Sequence, residues 1–333
     1  MKGITKEKLN QLLQALSGDY QVFVPAKTSD TVTKFQPYGE GVQMFWQENT
    51  LLSPKDIFFP QTEKMYKFKT KGMSVDIATI TPPDAPKILF GIRSCDVQSI
   101  DCMDKVFLTR GYEDEFYKTR RENTLLFALA CSTHADTCFC TSMGIDPQQA
   151  SLADVQMSDV GDAFALEAKT PAGEEVLKKF DANLVELSNP KIVPLDEILI
   201  HVDMEGVSEK LEGMFEHPLW DEVSSKCIGC STCTYLCPTC YCFDIDSKLH
   251  GEDGTKIRCW DCCMFSEYSR MAGGHNPRPS KKERVRNRFM DKLLYNKKRH
   301  GQVFCVGCGR CVAKCPVNLE IATIIQKVKE AAI

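Results

Sequence analysis

Cys227-Ile228-Gly229-Cys230-Ser231-Thr232-Cys233-Thr234-Tyr235-Leu236-Cys237-Pro238 decides how the C-terminal part of this chain folds. Cys305-Val306-Gly307-Cys308-Gly309-Arg310-Cys311-Val312-Ala313-Lys314-Cys315-Pro316 repeats it. Each is a Cys-x2-Cys-x2-Cys-x3-Cys-Pro run, the spacing that holds an iron–sulfur cubane. Three thiolates, each two residues from the next, curl round one face of a cluster. The fourth, carried onto the start of the next helix, reaches past that cluster to the other one. The spacing therefore assigns one 4Fe-4S cluster to Cys227, Cys230, Cys233 and Cys315, and a second to Cys305, Cys308, Cys311 and Cys237. Proline after the fourth cysteine suits a first helical turn, where a missing N–H costs nothing. The small residues Gly229, Ser231, Gly307 and Gly309 leave backbone N–H groups free to approach the sulfurs. Zinc is the competing reading, but it favours isolated Cys-x2-Cys pairs in a tetrahedral site.

Working outward, each run is followed by a helical segment, so this half is an internal pseudo-repeat. The last helix carries Ile321, Ile324, Ile325 and Val328 at i, i+3, i+4 and i+7. Ahead of the first run, a helical stretch from about Glu205 to Ser224 contains Leu211, Met214, Phe215 and Trp220. The pattern breaks at Ser188-Asn189-Pro190 and Val193-Pro194, which puts a domain boundary near residue 200. The expected architecture is an α-helical ferredoxin-like domain over 201–333 holding two clusters, preceded by an α/β domain over 1–200.

The N-terminal part mixes periods. Leu9, Leu12, Leu13 and Leu16 share one helical face closed by Gly18, whereas Gln21–Val24 and Val42–Trp46 read as strands. Lys87–Ile92 reads as a buried strand. Beyond it Val97, Ile100, Met103, Phe107 and Leu108 fall at helical spacing, a charged helix covers Glu113 to Glu122, and Thr124 to Ala130 forms the next buried strand. That order is typical of an α/β core.

With 333 residues and 43% of them apolar, the chain can bury two cores without cross-links. A formal charge of -4 gives no general attraction to nucleic acid or anionic lipid. Eighteen cysteines read as disulfides or as metal ligands according to compartment. The N-terminus runs straight into an amphipathic stretch without the apolar core of a signal peptide. The longest apolar run, Leu125 to Cys131, falls well short of the roughly 18 to 20 residues that span a bilayer. Both features predict a cytoplasmic protein, not bound to membrane, whose thiols stay reduced and available to metal.

Four further cysteines converge. Cys95 ends one buried strand, and Cys131, Cys138 and Cys140 lie at the end of the next, so adjacent strand ends would bring them together. A third 4Fe-4S cluster is favoured over buried free thiols, because four thiols at one sheet edge exceed what packing needs. Cys240, Cys242 and Cys263 make a further metal site or only shield the first cluster, and three convergent thiols favour the shield. Cys102, Cys259 and Cys262 read as non-ligands, and His275, beside Gly and Pro, as a loop hydrogen-bonder.

The stretch from Arg278 to Arg299 holds Lys281, Lys282, Arg284, Arg286, Arg288, Lys292, Lys297 and Lys298 against Glu283 and Asp291. No aromatic platform accompanies them, so a docking face is preferred to a nucleic-acid helix. The chain has no Gly-x-Gly-x-x-Gly after a strand and no phosphate-binding Gly-Lys-Ser/Thr loop, so neither flavin nor nicotinamide is expected to bind it. These residues point to electron relay rather than to chemistry on a bond. The rival is a stand-alone reductase that acts on a small substrate at an open cluster site near Cys240, Cys242 and Cys263.

Several stretches outside the two runs resemble one family: Ile88-Leu89-Phe90-Gly91-Ile92-Arg93-Ser94-Cys95-Asp96, Cys138-Phe139-Cys140, His217-Pro218-Leu219-Trp220-Asp221, Cys237-Pro238-Thr239-Cys240-Tyr241-Cys242 and Ala272-Gly273-Gly274-His275. With Cys305 to Cys311 they are similar to the family that unites the β subunit of cytoplasmic NiFe sulfhydrogenases with its counterpart in anaerobic sulfite reductase. The resemblance implies an iron–sulfur relay that links two partners, a FAD-containing, NAD(P)H-oxidising subunit on one side and a catalytic redox subunit on the other. It also implies that Cys95, Cys131, Cys138 and Cys140 match a set suited to an extra cluster. Arg278-Pro279-Ser280-Lys281-Lys282 looks like the hydrogenase type and the end at Ile333 like the sulfite reductase type. The catalytic partner stays open between these and a heterodisulfide reductase.

Overall fold

Lys87–Ile92 is buried at all six positions, which requires strand neighbours on both edges and cover on both faces. The computed structural model, which describes residues 1–81 and 85–332, supplies both. Its strands are β1 (Lys2–Thr5), β2 (Gln21–Ser29), β3 (Val32–Pro37), β4 (Thr62–Lys71), β5 (Ser74–Thr79), β6 (Lys87–Ile92), β7 (Thr124–Leu129), β8 (Val155–Asp159), β9 (Ala163–Ala168), β10 (Val185–Glu186), β11 (Phe243–His250) and β12 (Asp253–Trp260). Eight of them form one sheet in the order β10-β1-β9-β8-β7-β6-β2-β3. Its centre, β2-β6-β7-β8, is parallel, and the outer pairs are antiparallel.

Alternate residues of the central strands feed two cores. Ile88, Phe90, Phe127 and Leu129 pack on Leu9, Leu12, Leu13 and Leu16 of the Leu9–Leu16 helix. Leu89, Ile92, Leu126 and Ala128 pack on Val97, Ile100, Met103 and Phe107 of the Ser94–Phe107 helix. Each fully buried side chain of this kind contributes roughly 1.5–3 kcal/mol. The result is helix, sheet, helix, as the periodicities predict. A register shift lies between Phe90 and Ile92, at Gly91. Gly91 has φ +83°, and a Cβ there would lie 2.4 Å from the Trp46 ring. Only glycine tolerates both conditions, and the irregularity immediately precedes Arg93-Ser94-Cys95.

The second sheet departs from expectation. Its order is β11-β12-β4-β5, all antiparallel, so strands from either side of residue 200 share one sheet. The C-terminal half is therefore not all-helical, and the boundary near residue 200 is crossed by a β ladder. Phe243, Ile245 and Leu249 alternate with Asp244, Asp246, Lys248 and His250, a period-2 signal followed by Gly251 at φ +62°. The cysteine-rich context hides that hairpin. Glu63 on β4 accepts from Arg258 Nε on β12 at 2.7 Å and from Arg120 Nη2 of the Glu115–Glu122 helix at 2.8 Å, tying the second sheet to that helix.

Three smaller expectations are also corrected. Val42–Trp46 is not a strand and contributes only the bridge Ala26↔Met44. The stretch 205–224 is two helices, Val207–Glu212 and Leu219–Lys226, separated at Gly213 and Pro218. The prolines after the fourth cysteines begin no helix. The short helices Thr232–Tyr235 and Arg310–Lys314 carry Cys233 and Cys311 instead, and Cys315 stands beyond its helix at φ −73°, ψ 114°. A residue before proline is driven out of the helical region, so Pro316 ends the helix.

The basic stretch is helical and largely enclosed. A capping box of Ser280 and Glu283 starts the Lys281–Met290 helix, a π-helical turn follows at Asp291–Tyr295, and Asn296–His300 continues. Lys282, Arg286, Lys297 and Lys298 pair with Asp221, Glu216, Glu209 and Glu212. Arg288 and Lys292 are buried. The segment is thus chiefly an internal brace rather than one solvated docking face. Among the described residues, no helix is long and apolar enough to cross a membrane.

Candidate iron–sulfur centre

The two runs close on each other. Cys227, Cys230, Cys233 and Cys315 line one cavity, and Cys305, Cys308, Cys311 and Cys237 line another, so the fourth cysteine of each run stands with the first three of the other. In the first cavity Gly229 N donates to Cys227 Sγ at 3.4 Å and Leu319 N to Cys315 Sγ at 3.1 Å. Backbone N–H groups aimed at sulfur are the kind of contact that tunes a cluster. Cys230 is the exposed member of this set, and neighbouring Ile228 is 62% exposed. The first cavity therefore opens at the surface.

Cys95, Cys131, Cys138 and Cys140 line a third cavity. β6 and β7 are parallel neighbours, so Cys95, at the start of the Ser94–Phe107 helix, and Cys131, two residues past β7, emerge side by side. The 137–140 loop brings the other two against the second run. Phe139 N donates to Gly307 O at 2.8 Å, and a Cβ on Gly307 or Gly309 would meet the Phe139 or Thr137 carbonyl oxygen at 2.5 Å. Gly307 and Cys308 lie in the walls of both the second and the third cavity. Arg288 lies in the walls of both the first and the second. The three sites stand in series.

Burial sets the protonation of these thiols. It pushes Cys138, Cys140 and Cys305 up to about 12 and drives Cys95 well above the ordinary thiol range, with Asp96 adding to the last. Exposed Cys230 moves the other way, lowered by its hydrogen bond with Thr232. Cys237 is held well below the ordinary value, first by its hydrogen bond with Cys240 and further by the positive charges of Lys292 and Arg288. Neutral buried thiols must lose protons to become ligands, so metal loading and proton release are coupled here.

The donor sets fit 4Fe-4S clusters. Each cavity gathers at least four thiols, the donors that such clusters use. The Arg288 Nε–H, in the wall common to the first two cavities, is buried with no partner. A buried polar group in that state implies a missing acceptor. When bound, these clusters supply one-electron carriers.

The remaining cysteines behave differently. Cys242 and Cys263 are hydrogen-bonded neighbours, as are Cys263 and Cys262, and Cys240 turns to Cys237 instead. Cys262 also contacts Thr234 Oγ1 at 2.9 Å and accepts from Met264 N at 3.2 Å. Among the described residues, no group of three or more His, Cys, Asp or Glu side chains is arranged to hold a single metal ion, and that covers the cysteines of the three cavities as well as Cys240, Cys242 and Cys263. Cys102 accepts from Gln302 Nε2 at 3.3 Å, Cys259 lies 3.9 Å from Asp244 O, and His275 is exposed, its carbonyl accepting from Met271 N.

Sequence reading singled out Arg288 and Lys292 only as members of the basic stretch, and Lys55 not at all. Lys55 Nζ donates to Cys237 O at 3.1 Å and Cys240 O at 3.0 Å, from 182 residues away, and lies 3.9 Å from the centre of the Trp260 ring. Lys292, set by the π turn, donates to Thr239 Oγ1 at 2.9 Å and Phe304 O at 3.2 Å. Arg93 donates to Ala130 O and Trp46 O beside the third site. The π turn that sets Lys292 has no mark in the periodicity of the basic stretch.

Residues 226–319 match the family described as a 4Fe-4S dicluster domain. Over 296 residues the chain is 29% identical to sulfhydrogenase 2 subunit beta of Pyrococcus furiosus, with 85% of each chain covered. No solved structure matches it. With a homologue aligned along most of both chains and a dicluster domain over the two cysteine runs, the protein is an iron–sulfur electron-transfer subunit similar to the sulfhydrogenase β subunit.

Proposed function

We propose that this chain is the wire of a cytoplasmic oxidoreductase complex, holding three 4Fe-4S clusters. Cys227, Cys230, Cys233 and Cys315 hold the first, Cys305, Cys308, Cys311 and Cys237 the second, and Cys95, Cys131, Cys138 and Cys140 the third. Cys240, Cys242 and Cys263 shield the first two sites and ligate nothing. Electrons pass between two partners, one a FAD-containing, NAD(P)H-oxidising subunit, the other a catalytic subunit of hydrogenase, sulfite reductase or heterodisulfide reductase type.

One observation carries the reading: the three cysteine-lined cavities share walls in sequence, Gly307 and Cys308 between third and second, Arg288 between second and first. Consecutive carriers separated by one layer of protein make a conducting path, whereas a substrate enzyme needs one open site. Cys230 and Ile228 at the exposed end give a partner direct approach to the first site. The relative named above is likewise one subunit of a larger enzyme.

Anaerobic affinity purification of the chain from its own cells tests this. A co-purifying flavoprotein together with a NiFe, sirohaem or heterodisulfide reductase subunit supports the relay. Turnover of a small substrate by the isolated chain with dithionite, in the absence of any partner, overturns it.

A further inference from the structure

Three cations are buried around the second cysteine set. Arg288 and Lys292 are each 3% exposed and Lys55 5%. Among the described residues none of the three forms an ion pair with a carboxylate; their partners are neutral. Lys55 donates to the carbonyls of Cys237 and Cys240, and Lys292 to Thr239 Oγ1 and the Phe304 carbonyl. Arg288 Nη2 donates to the Cys233 carbonyl at 2.8 Å, Nη1 lies 3.6 Å from Cys240 Sγ, and Nε has no partner.

The other sites are less positive. Beside the third, Arg310 is neutralised by Asp96, which leaves Arg93 as its buried cation without a carboxylate. Among the described residues the first has its share of Arg288 as its buried cation, and its other cation, Lys281, donates to the Cys227 carbonyl at 2.8 Å from the exposed surface, where water screens it. Burying a charge without an opposite charge costs several kcal/mol, so three of them gathered at one site imply an anion there. A thiolate-ligated cluster is such an anion, and each electron it accepts makes it more negative.

Resting on the relay reading, we propose that Arg288, Lys292 and Lys55 make the second cluster the highest-potential of the three. The middle of the wire is then where an electron rests. Positive charge and N–H donation stabilise the reduced cluster more than the oxidised one, and net charge and hydrogen bonds to sulfur are among the factors that set cluster potential. Arg288 acts on both neighbours: its free Nε–H is the donor available in the wall between the first and second sites. The chain would thus store one electron between its partners and not merely conduct.

The test is EPR-monitored potentiometry of the full chain, anaerobically reconstituted, with iron and sulfide counted on the same samples. The second cluster is assigned by the signal that disappears in Cys305→Ala. It is expected to be reduced first as the potential is lowered. Lys292→Met and Arg288→Met should each move its midpoint downward at unchanged iron content, and Lys292→Arg should leave it near the wild-type value. A wild-type chain in which another cluster is reduced first overturns the inference while the relay reading stands. So does a fully loaded Lys292→Met chain whose midpoint has not moved. Should a variant fail to load iron, the wild-type order still decides. A wild-type chain that takes up no clusters overturns the relay reading and this inference together.

Discussion

Arg310 and Asp96 meet fork to fork, Nη1 to Oδ1 at 2.7 Å and Nη2 to Oδ2 at 2.8 Å, with 2% and 1% of their side chains exposed. Asp96 follows Cys95, and Arg310 stands between Cys308 and Cys311. One buried pair thus fixes the third cysteine set against the second. Arg310 Nε adds a bond to Thr50 O at 2.7 Å, so its donors reach the N-terminal half at two points. Desolvation offsets much of the Coulombic gain in such a pair, and its evident role is registry between two parts of the chain.

Removing either partner alone strands a buried charge. Asp96→Ala or Arg310→Met is expected to cost about 3–5 kcal/mol in denaturant unfolding. The double variant Asp96→Leu/Arg310→Met should lose less than the sum of the two, because no charge is left unpaired. Strictly additive losses would reject the pair as a coupled unit.

The glycines of the two runs are predicted to differ. Gly229 has φ +71° and open space where a Cβ would go, so Gly229→Ala costs only left-handed strain of about 1–2 kcal/mol. Gly307, at φ +59°, faces the Phe139 carbonyl and the Cys140 backbone, which cannot yield as a flexible side chain does. Gly307→Ala should destabilise by more than Gly229→Ala and lower iron content at the second and third sites together. Thermal unfolding and iron analysis of both variants decide.

Much of the fold is legible in the amino-acid sequence. The apolar run Ile88 to Ile92 and the leucines at 9, 12, 13 and 16 define the central sheet and one of its helices, because burial on both faces and helical period leave little choice. The run spacing likewise anticipated which cysteines face each other. The β11–β12 hairpin escaped because the cysteines around it draw attention from its period-2 signal, and its ladder to β4, about 180 residues earlier, leaves no local trace. Lys55 escaped for the same reason. Lys292 and Arg288 were hidden by composition: in a stretch so rich in Lys and Arg, nothing local separates the two that turn inward from those that pair at the surface.

Glu63 is the hinge of a second buried network. Its carboxylate is shared by Arg258 and Arg120, and Arg258 also pairs with Asp114. Glu63→Ala leaves two guanidinium groups with one carboxylate on the seam between β4, β12 and the Glu115–Glu122 helix. The expected loss is about 3–5 kcal/mol, with a matching fall in the unfolding midpoint. Because no cysteine set is touched, iron content per folded chain should stay at the wild-type value.

Iron stoichiometry separates ligands from bystanders. Three clusters require about twelve irons per chain, and two require about eight. Cys131→Ser removes a thiol from the third cavity, so the count should fall by about four while the first two sites keep their spectra. Cys242→Ala breaks the hydrogen bonds of Cys242 with Cys263 and Tyr268, and Cys242 lines none of the three cavities. Its iron content should match wild type. Mössbauer spectroscopy on both variants reads the outcome directly: a loss of iron in Cys242→Ala would make that group a metal site, and an unchanged count in Cys131→Ser would make the N-terminal quartet a set of buried thiols.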